Sequence, residues 1–264
     1  MPHELPRPSR RAALSVLSHA ALLAGAITAA PTSASARLDS EASDSGGLED
    51  LKRRLSAAPR RRTFGTVPFL LTSRDQWDHE AADAVLSYRY RSLQVWEPTE
   101  LSAPWLNLMR EAISGQVFSH GNPGFLAVAA IHGSAHLALF DQVAWDTHGL
   151  AALSGGKATK NTFASPKPGT TSADDIQNVA GYYGPDNNNI HTLQERGAVF
   201  VACHDSIHAI ARAVRERGGG SGSSSDAVAA DLTNHLVPGA VLVPSVVAFL
   251  VELQRAGFTY AKAG

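Results

Sequence analysis

Cysteine is almost absent from this chain of 264 residues, which contains only Cys203. A single thiol cannot form an intramolecular disulfide, and the chain has no Cys-x-x-Cys-His sequence to which a c-type haem could be attached. Stability must therefore come from a hydrophobic core, and the chain is long enough to build one large domain.

An excess of charge of either sign is also lacking. The 23 Lys and Arg residues against 24 Asp and Glu residues give a formal net charge of −1, so the overall charge does not favour binding to nucleic acid or to an anionic membrane. The chain contains no P-loop, no G-x-G-x-x-G sequence and no serine-hydrolase motif. Kinase, dinucleotide-binding and hydrolase functions therefore have no motif to support them.

The first 36 residues predict an export signal rather than a part of the fold. Arg10 and Arg11 form a twin-arginine motif, an uncharged and weakly hydrophobic stretch follows over residues 12–30, and Ala34-Ser35-Ala36 matches an A-x-A cleavage site. A membrane anchor is the alternative, but this stretch is too polar for a good one. We expect a periplasmic or otherwise extracytoplasmic protein that starts near residue 37 and has no membrane span after cleavage.

Residues 37–63 are predicted to form a flexible basic linker. Small and acidic residues dominate this segment up to Gly47, and six basic residues follow within eleven positions: Lys52, Arg53, Arg54, Arg60, Arg61 and Arg62. Because no aromatic residue lies among them, a solvated tether or a short helix is favoured over a nucleic-acid patch. We expect the main domain to cover residues 64–264, with its first part, up to residue 90, as a decoration.

Short apolar runs alternate with amphipathic helical patterns from residue 90 onward. Strands are predicted over residues 92–96, 125–131, 198–202, 241–243 and 258–261. This alternation implies right-handed crossovers and hence an α/β fold, a three-layer α/β/α sandwich with a mainly parallel five-stranded sheet. A polar loop over residues 149–183 fits no element, and loops of this length are usually lids or partner-binding arms.

Cys203 is the main candidate for a functional residue, because it ends the third predicted strand. The run before it has the composition of a strand buried on both faces, and Asp205 or Ser206 can cap the helix that follows. Ligands bind outside the carboxyl ends of parallel strands, where helix N-termini stabilise anions. A thiol at this place can be driven toward the thiolate, although a lone cysteine is as often a small buried hydrophobe.

Two histidines are expected close to this thiol. His132 follows the second predicted strand, and His204 is the residue after Cys203. An imidazolium beside a thiol lowers its pKa, whereas a carboxylate at Asp205 would oppose the thiolate. His132 can also be a turn residue that bonds to the backbone. We predict Cys203, His132 and His204 as catalytic residues, with no cofactor.

Histidines spaced four residues apart suggest a different chemistry. His132 and His136 form one such pair and His204 and His208 another, so two helix starts can each present two imidazoles to a metal, with Cys203 as a further ligand. The spacing is a weak signal, because the glutamate of a zinc-protease motif is missing. It supports, as an alternative, a metal-binding protein that uses His132, His136, Cys203 and His204.

The last third of the chain resembles the DsrE/DsrF-like family of sulfur-relay proteins, in its exported twin-arginine branch. The resemblance is carried by GAVFVACHDSIHAI at residues 197–210 and NHLVPGAVLVPSVVAFLVELQRAGFTYAK at residues 234–262, with a weaker match over residues 128–145. It implies a five-stranded parallel sheet, assembly as trimers or hexamers, and a cysteine that accepts persulfide sulfur, a position that only Cys203 matches. It also implies a sulfur-donor or sulfur-acceptor protein as partner.

Three hypotheses of different classes result. The chain is a persulfide carrier or sulfurtransferase with Cys203 as the acceptor, a non-catalytic oligomeric module that uses the loop 149–183 for contact, or the metal-binding protein described above. The resemblance supports the first two, and the histidine spacing supports the third.

Overall fold

The computed structural model describes residues 47–156, 158–220 and 222–263. The predicted export signal and residues 37–46 of the predicted linker lie outside the described residues. The helices are α1 (Leu48–Ala57), α2 (His79–Ser87), α3 (Trp105–Ser114), α4 (Gln142–His148), α5 (Ile190–Glu195), α6 (His204–Glu216), α7 (Ser225–Asn234) and α8 (Val246–Arg255). The strands are β1 (Leu93–Glu97), β2 (Leu126–Ile131), β3 (Val199–Cys203), β4 (Val241–Val243) and β5 (Thr259–Lys262). Across the described ranges, no helix has the length and apolar character needed to cross a membrane.

The strands form one sheet in the order β4-β3-β2-β1-β5, and every neighbouring pair is parallel. Strands β1 to β4 step in one direction across the sheet. The connection through α8 then returns the chain past β1, so that β5 pairs with its other side. The predicted parallel five-stranded sheet is confirmed.

Helices cover both faces of this sheet. Strand side chains such as Phe200 and Ala202 pack in one core cluster with residues of α3, α6 and α7, whereas Val199, Val201 and Cys203 pack in a second cluster with residues of α1, α2 and α8. All six residues of β2 are buried, as a strand covered on both faces requires. The predicted three-layer sandwich is confirmed as well.

The basic segment belongs to the packed domain wherever the structure describes it. Residues 48–57 form α1, which buries Leu51 in the second core cluster. The side chains of Arg60 and Arg62 both donate to the carbonyl oxygen of Ala240, directly before β4. Residues 47–63 are therefore not a solvated tether: the short helix that the sequence also allowed is present, and the two arginines satisfy one backbone carbonyl at the sheet edge.

The chain after β2 contains two helical segments rather than one continuous helix. A 3₁₀ segment, Gly133–Leu139, comes first, and α4 begins separately after Asp141, whose carboxylate accepts a hydrogen bond from the backbone N–H of Ala144. Ser134, at the start of the first segment, does not cap it but accepts a hydrogen bond from the N–H of Leu101. A second N-cap inside the apolar pattern thus divides the helix in two.

The long loop packs toward the amino-terminal end of β3. The hydroxyl of Tyr182 donates to Glu195, the last residue of α5, and the hydroxyl of Tyr183 donates to the carbonyl oxygen of Ser172. Because α5 immediately precedes β3, these tyrosines lie toward the sheet end opposite to Cys203. They anchor the loop.

Candidate functional site

The carboxyl ends of β2, β3 and β4 are adjacent in the sheet, as the sequence predicts. Cys203 is in register with Val243 of β4, and Ile131 is in register with Ala202. His132 follows Ile131 and Cys203 follows Ala202, so the two residues are neighbours at this edge. Pro244 and Ser245 follow β4 at the same edge. The structure thus brings His132, Cys203 and the start of α8 to one place.

The thiol of Cys203 faces the core beneath α8. Strand alternation puts its side chain on the same face as Val199 and Val201, and only 3 % of the residue is exposed. Cys203 is the N-cap of α6, which begins at His204, and no backbone N–H donates to its side chain there. Neither Asp205 nor Ser206 is the cap. The start of α6 therefore gives the sulfur no hydrogen bond, because α6 packs on the opposite face of the sheet.

His132 is oriented by a carboxylate on the strand beyond it. Its Nε2 lies 3.0 Å from Oε1 of Glu97, the last residue of β1. The other carboxylate oxygen of Glu97 accepts a hydrogen bond from the hydroxyl of Tyr260 on β5. Partial burial raises the pKa of Glu97, but the hydrogen bonds from Tyr260 and His132 outweigh this effect, so the pKa lies below its ordinary value. Glu97 is therefore an ionised acceptor, and His132 must donate through Nε2.

A glycine fixes the position of His132 at the end of β2. His132 itself is extended, and Gly133 turns the chain with a φ of 60°. A Cβ atom at Gly133 would lie 2.6 Å from the carbonyl oxygen of Thr99. Only glycine combines this backbone conformation with so close an approach. The turn therefore begins immediately after the imidazole.

His136 supports Cys203 through the backbone rather than through the thiol. Its Nε2 accepts a hydrogen bond of 3.1 Å from the N–H of Cys203. The side chain is completely buried, and this burial lowers its pKa to about 3. A ring nitrogen that accepts carries no proton, so neutral His136 holds its proton on Nδ1. The imidazole takes the place of a strand partner at the end of β3.

His204 is engaged with a different part of the chain. Its Nε2 lies 2.8 Å from the carbonyl oxygen of Pro68, and its ring packs edge-on against His208 at a centroid distance of 4.7 Å. The ring of Phe69 covers His208 in turn. Burial lowers the pKa of both histidines. The polar contact of His204 thus holds residues 67–69 against α6, and it is not a contact with the thiol.

The ligands of the metal alternative do not converge. In the part of the chain that the structure describes, no three His, Cys, Asp or Glu side chains form a group that could hold a metal ion. His132 is bonded to Glu97, His136 to the backbone of Cys203, and His204 to a carbonyl group. One ring nitrogen of each imidazole bonds to a different part of the chain, so the described residues show no assembled ligand set.

Comparison with known proteins identifies no relative. A scan against protein-family models, a search of curated proteins and a search of solved structures each gave no match.

Sequence analysis does not single out Glu97 or Tyr260. A signal for Glu97 exists, because it is a polar residue two positions after Val95 at the end of an apolar run, and alternation places both on one face. Tyr260 carries no such signal. Its contact with Glu97 depends on the placement of β5 beside β1, which the sequence pattern does not determine.

Proposed function

We propose that this chain handles sulfane sulfur, as a persulfide carrier or sulfurtransferase with Cys203 as the acceptor. The resemblance to the DsrE/DsrF-like family supports this function. The observation that carries it is that Cys203, His132 and Glu97 stand at the carboxyl ends of the neighbouring strands β3, β2 and β1, with Glu97 bonded to His132. A nucleophile, a base and a group that orients the base form the usual constellation for nucleophilic catalysis.

The proposed transfer needs no external oxidant. His132 takes the proton of the Cys203 thiol on Nδ1, and the thiolate attacks the outer sulfur of a donor R–S–SH. A bond forms between Sγ and this sulfur while the S–S bond of the donor breaks, and its electron pair leaves with the inner sulfur as RS⁻. The leaving thiolate takes the proton from His132. The products are Cys203–S–SH and RSH, so atoms and electrons balance.

Burial of the thiol determines which donor fits. Cys203 lies in one core cluster with Val246 and Leu250 of α8. A small persulfide or polysulfide reaches such a site more easily than a folded protein does. Transfer to or from a partner protein requires the start of α8 to move away from Cys203.

Exposure of the native protein to polysulfide is expected to add the mass of one sulfur atom, as measured by intact-mass analysis. Cys203→Ser should take up none. His132→Asn should slow the uptake by about 100-fold, because general-base assistance is lost. His120→Asn, at an exposed histidine, is the control and should react like the wild type. Uptake only after unfolding would contradict the proposal.

A second candidate function, an oligomeric binding module, is supported by exposed apolar side chains on α8 and on the edge strand β5. Val247 and Val251 lie one turn apart on α8 and are 56 % and 45 % exposed, and Tyr260 on β5 is also 45 % exposed. Within the described residues, β5 is an end strand with β1 as its partner. Unpaired strand edges and exposed apolar side chains each favour self-association. The second copy of this chain is the proposed occupant.

Substituting both α8 valines by lysine is therefore expected to dissociate an oligomer into monomers. Light scattering of the mature protein at micromolar concentration measures the assembly directly. Val143→Lys is the matched control, because Val143 is 55 % exposed but belongs to α4. A monomeric wild type, or equal dissociation in the control, would count against the exposed face of α8 as the interface.

A further inference from the structure

Strand β5 pairs with β1 at the point in the sheet where the helical connections change from one face to the other. The chain leaves β1 through α3 on one face to form β2, and it arrives at β5 through α8 from the other face. Crevices outside the carboxyl ends of two such strands are the usual functional positions in open α/β sheets. In this structure the position holds Glu97 of β1, with Lys262 of β5 directly in register.

At this position Glu97 accepts hydrogen bonds from both of its neighbours. The Tyr260 hydroxyl donates to one carboxylate oxygen of Glu97, and the other oxygen lies 3.0 Å from Nε2 of His132. An ionised carboxylate only accepts, so both neighbours must donate to it. The raised pKa of Tyr260, caused chiefly by its hydrogen bond to Glu97, agrees with a phenol that keeps its proton there.

We propose that Tyr260 and Glu97 are positioning residues that hold His132 in its Nε2–H tautomer and leave Nδ1 free to accept a proton. This inference rests on the proposed function for the identity of the proton donor, the thiol of Cys203. The tautomer itself is a property of the native protein without substrate.

Two partners are needed because one hydrogen bond does not fix a carboxylate. Glu97 is only partly buried, and its side chain can rotate when a single oxygen is held. Tyr260 holds the second oxygen from the neighbouring strand and thereby fixes the plane of the carboxylate. The positive charge of Lys262 adds a smaller effect in the same direction as these hydrogen bonds, which lower the pKa of Glu97. Strand β5 thus helps to orient His132, which follows β2, through Glu97 of the strand between them.

Nitrogen NMR of histidine-labelled native protein tests the tautomer, and the spectrum of His132→Asn assigns the resonance. The wild type should show the Nε2–H form. Glu97→Ala and Tyr260→Phe should give a mixture of the two forms, whereas Glu97→Gln should keep the Nε2–H form because its side-chain oxygen still accepts. Glu100→Gln and Tyr183→Phe are the controls. They change an exposed glutamate and a loop tyrosine that donates to Ser172.

The rate of Cys203 alkylation by a small reagent is the second measurement. It should fall about tenfold in Glu97→Ala, the lower end of the effects seen when a partner that orients a functional histidine is removed. It should stay at the wild-type rate in both controls.

The outcomes separate this inference from the proposed function. A wild-type Nδ1–H form, or a tautomer that Tyr260→Phe and Glu97→Ala leave unchanged, overturns the positioning role whatever Cys203 does. A tautomer that responds as expected, in a protein whose Cys203 takes up no sulfur, supports the positioning role and refutes the sulfur-transfer function.

Discussion

Replacing Asp78 by alanine is expected to lower the free energy of unfolding by about 3–5 kcal/mol, the range measured when one partner of a buried ion pair is removed. The Asp78 side chain is completely buried and pairs with Arg62, which is itself mostly buried. Without the carboxylate, the guanidinium would remain in the interior with no compensating charge.

The carboxylate of Asp78 also covers the outer edge of β4. It accepts four hydrogen bonds, from the N–H groups of Arg61 and Leu242 and from two nitrogens of the Arg62 side chain. The backbone N–H of Asp78 donates to the carbonyl oxygen of Leu242. Both outward backbone groups of Leu242 thus depend on this residue. An unsatisfied buried N–H adds its own penalty to that of the lost ion pair.

Urea unfolding measures this effect, and the chain contains its own control. Asp83 pairs with Arg74 at the surface, where both side chains are more than half exposed. Asp83→Ala should therefore change the free energy of unfolding by less than about 1 kcal/mol. Equal effects of the two substitutions would show that the buried ion pair and hydrogen bonds of Asp78 do not stabilise the β4 edge.

The central strands β2 and β3 and the edge strand β4 could be predicted because each is a continuous apolar run. Buried parallel strands do not alternate with polar residues, so the predicted segment 198–202 differs from the observed β3, Val199–Cys203, by one residue. The role of the basic segment could not be predicted in this way. Arg60 bonds to Ala240, 180 positions along the chain, and charge patterns carry no information about contacts at such a distance.

The candidate site was predictable only in part. The rule that functional residues follow the carboxyl ends of parallel strands places His132 beside Cys203, and the register agrees. The face on which the thiol lies depends on strand alternation relative to α8, and the contact of Tyr260 depends on strand order. Neither is a local property of the sequence, so the burial of Cys203 and the Glu97 network emerge only from the fold.

Acid is expected to destabilise the protein through His136. Its pKa in the folded protein is about 3, because the ring is fully buried, and the neighbouring His132 and His204 shift it in the same direction. In the unfolded chain the imidazole takes up a proton near pH 6.5. Below that pH the unfolded state therefore binds more protons than the folded state, and the free energy of unfolding falls by up to about 1.4 kcal/mol per pH unit for this residue.

Between pH 5 and pH 6.5 the change in the free energy of unfolding comes from histidines rather than from carboxylates. Glu80 and Glu97 also have lowered pKa values, about 2 in the case of Glu80, so their contribution is lost only as the pH falls below the ordinary value of 4.5. Burial lowers the pKa of His204 and His208, which adds a loss of the same sign. The contribution of His136 must therefore be measured as a difference between variants.

His136→Gln provides that difference. Its side-chain oxygen can still accept the N–H of Cys203, but the side chain does not titrate, so the pH slope of the free energy of unfolding should decrease by about one proton relative to the wild type. His120→Gln, at an exposed position, should leave the slope unchanged. Urea midpoints measured in steps from pH 7 to pH 5 give both slopes. Identical slopes for the wild type and His136→Gln would mean that His136 is protonated in the folded protein, and the hydrogen bond that ends β3 would then need another acceptor.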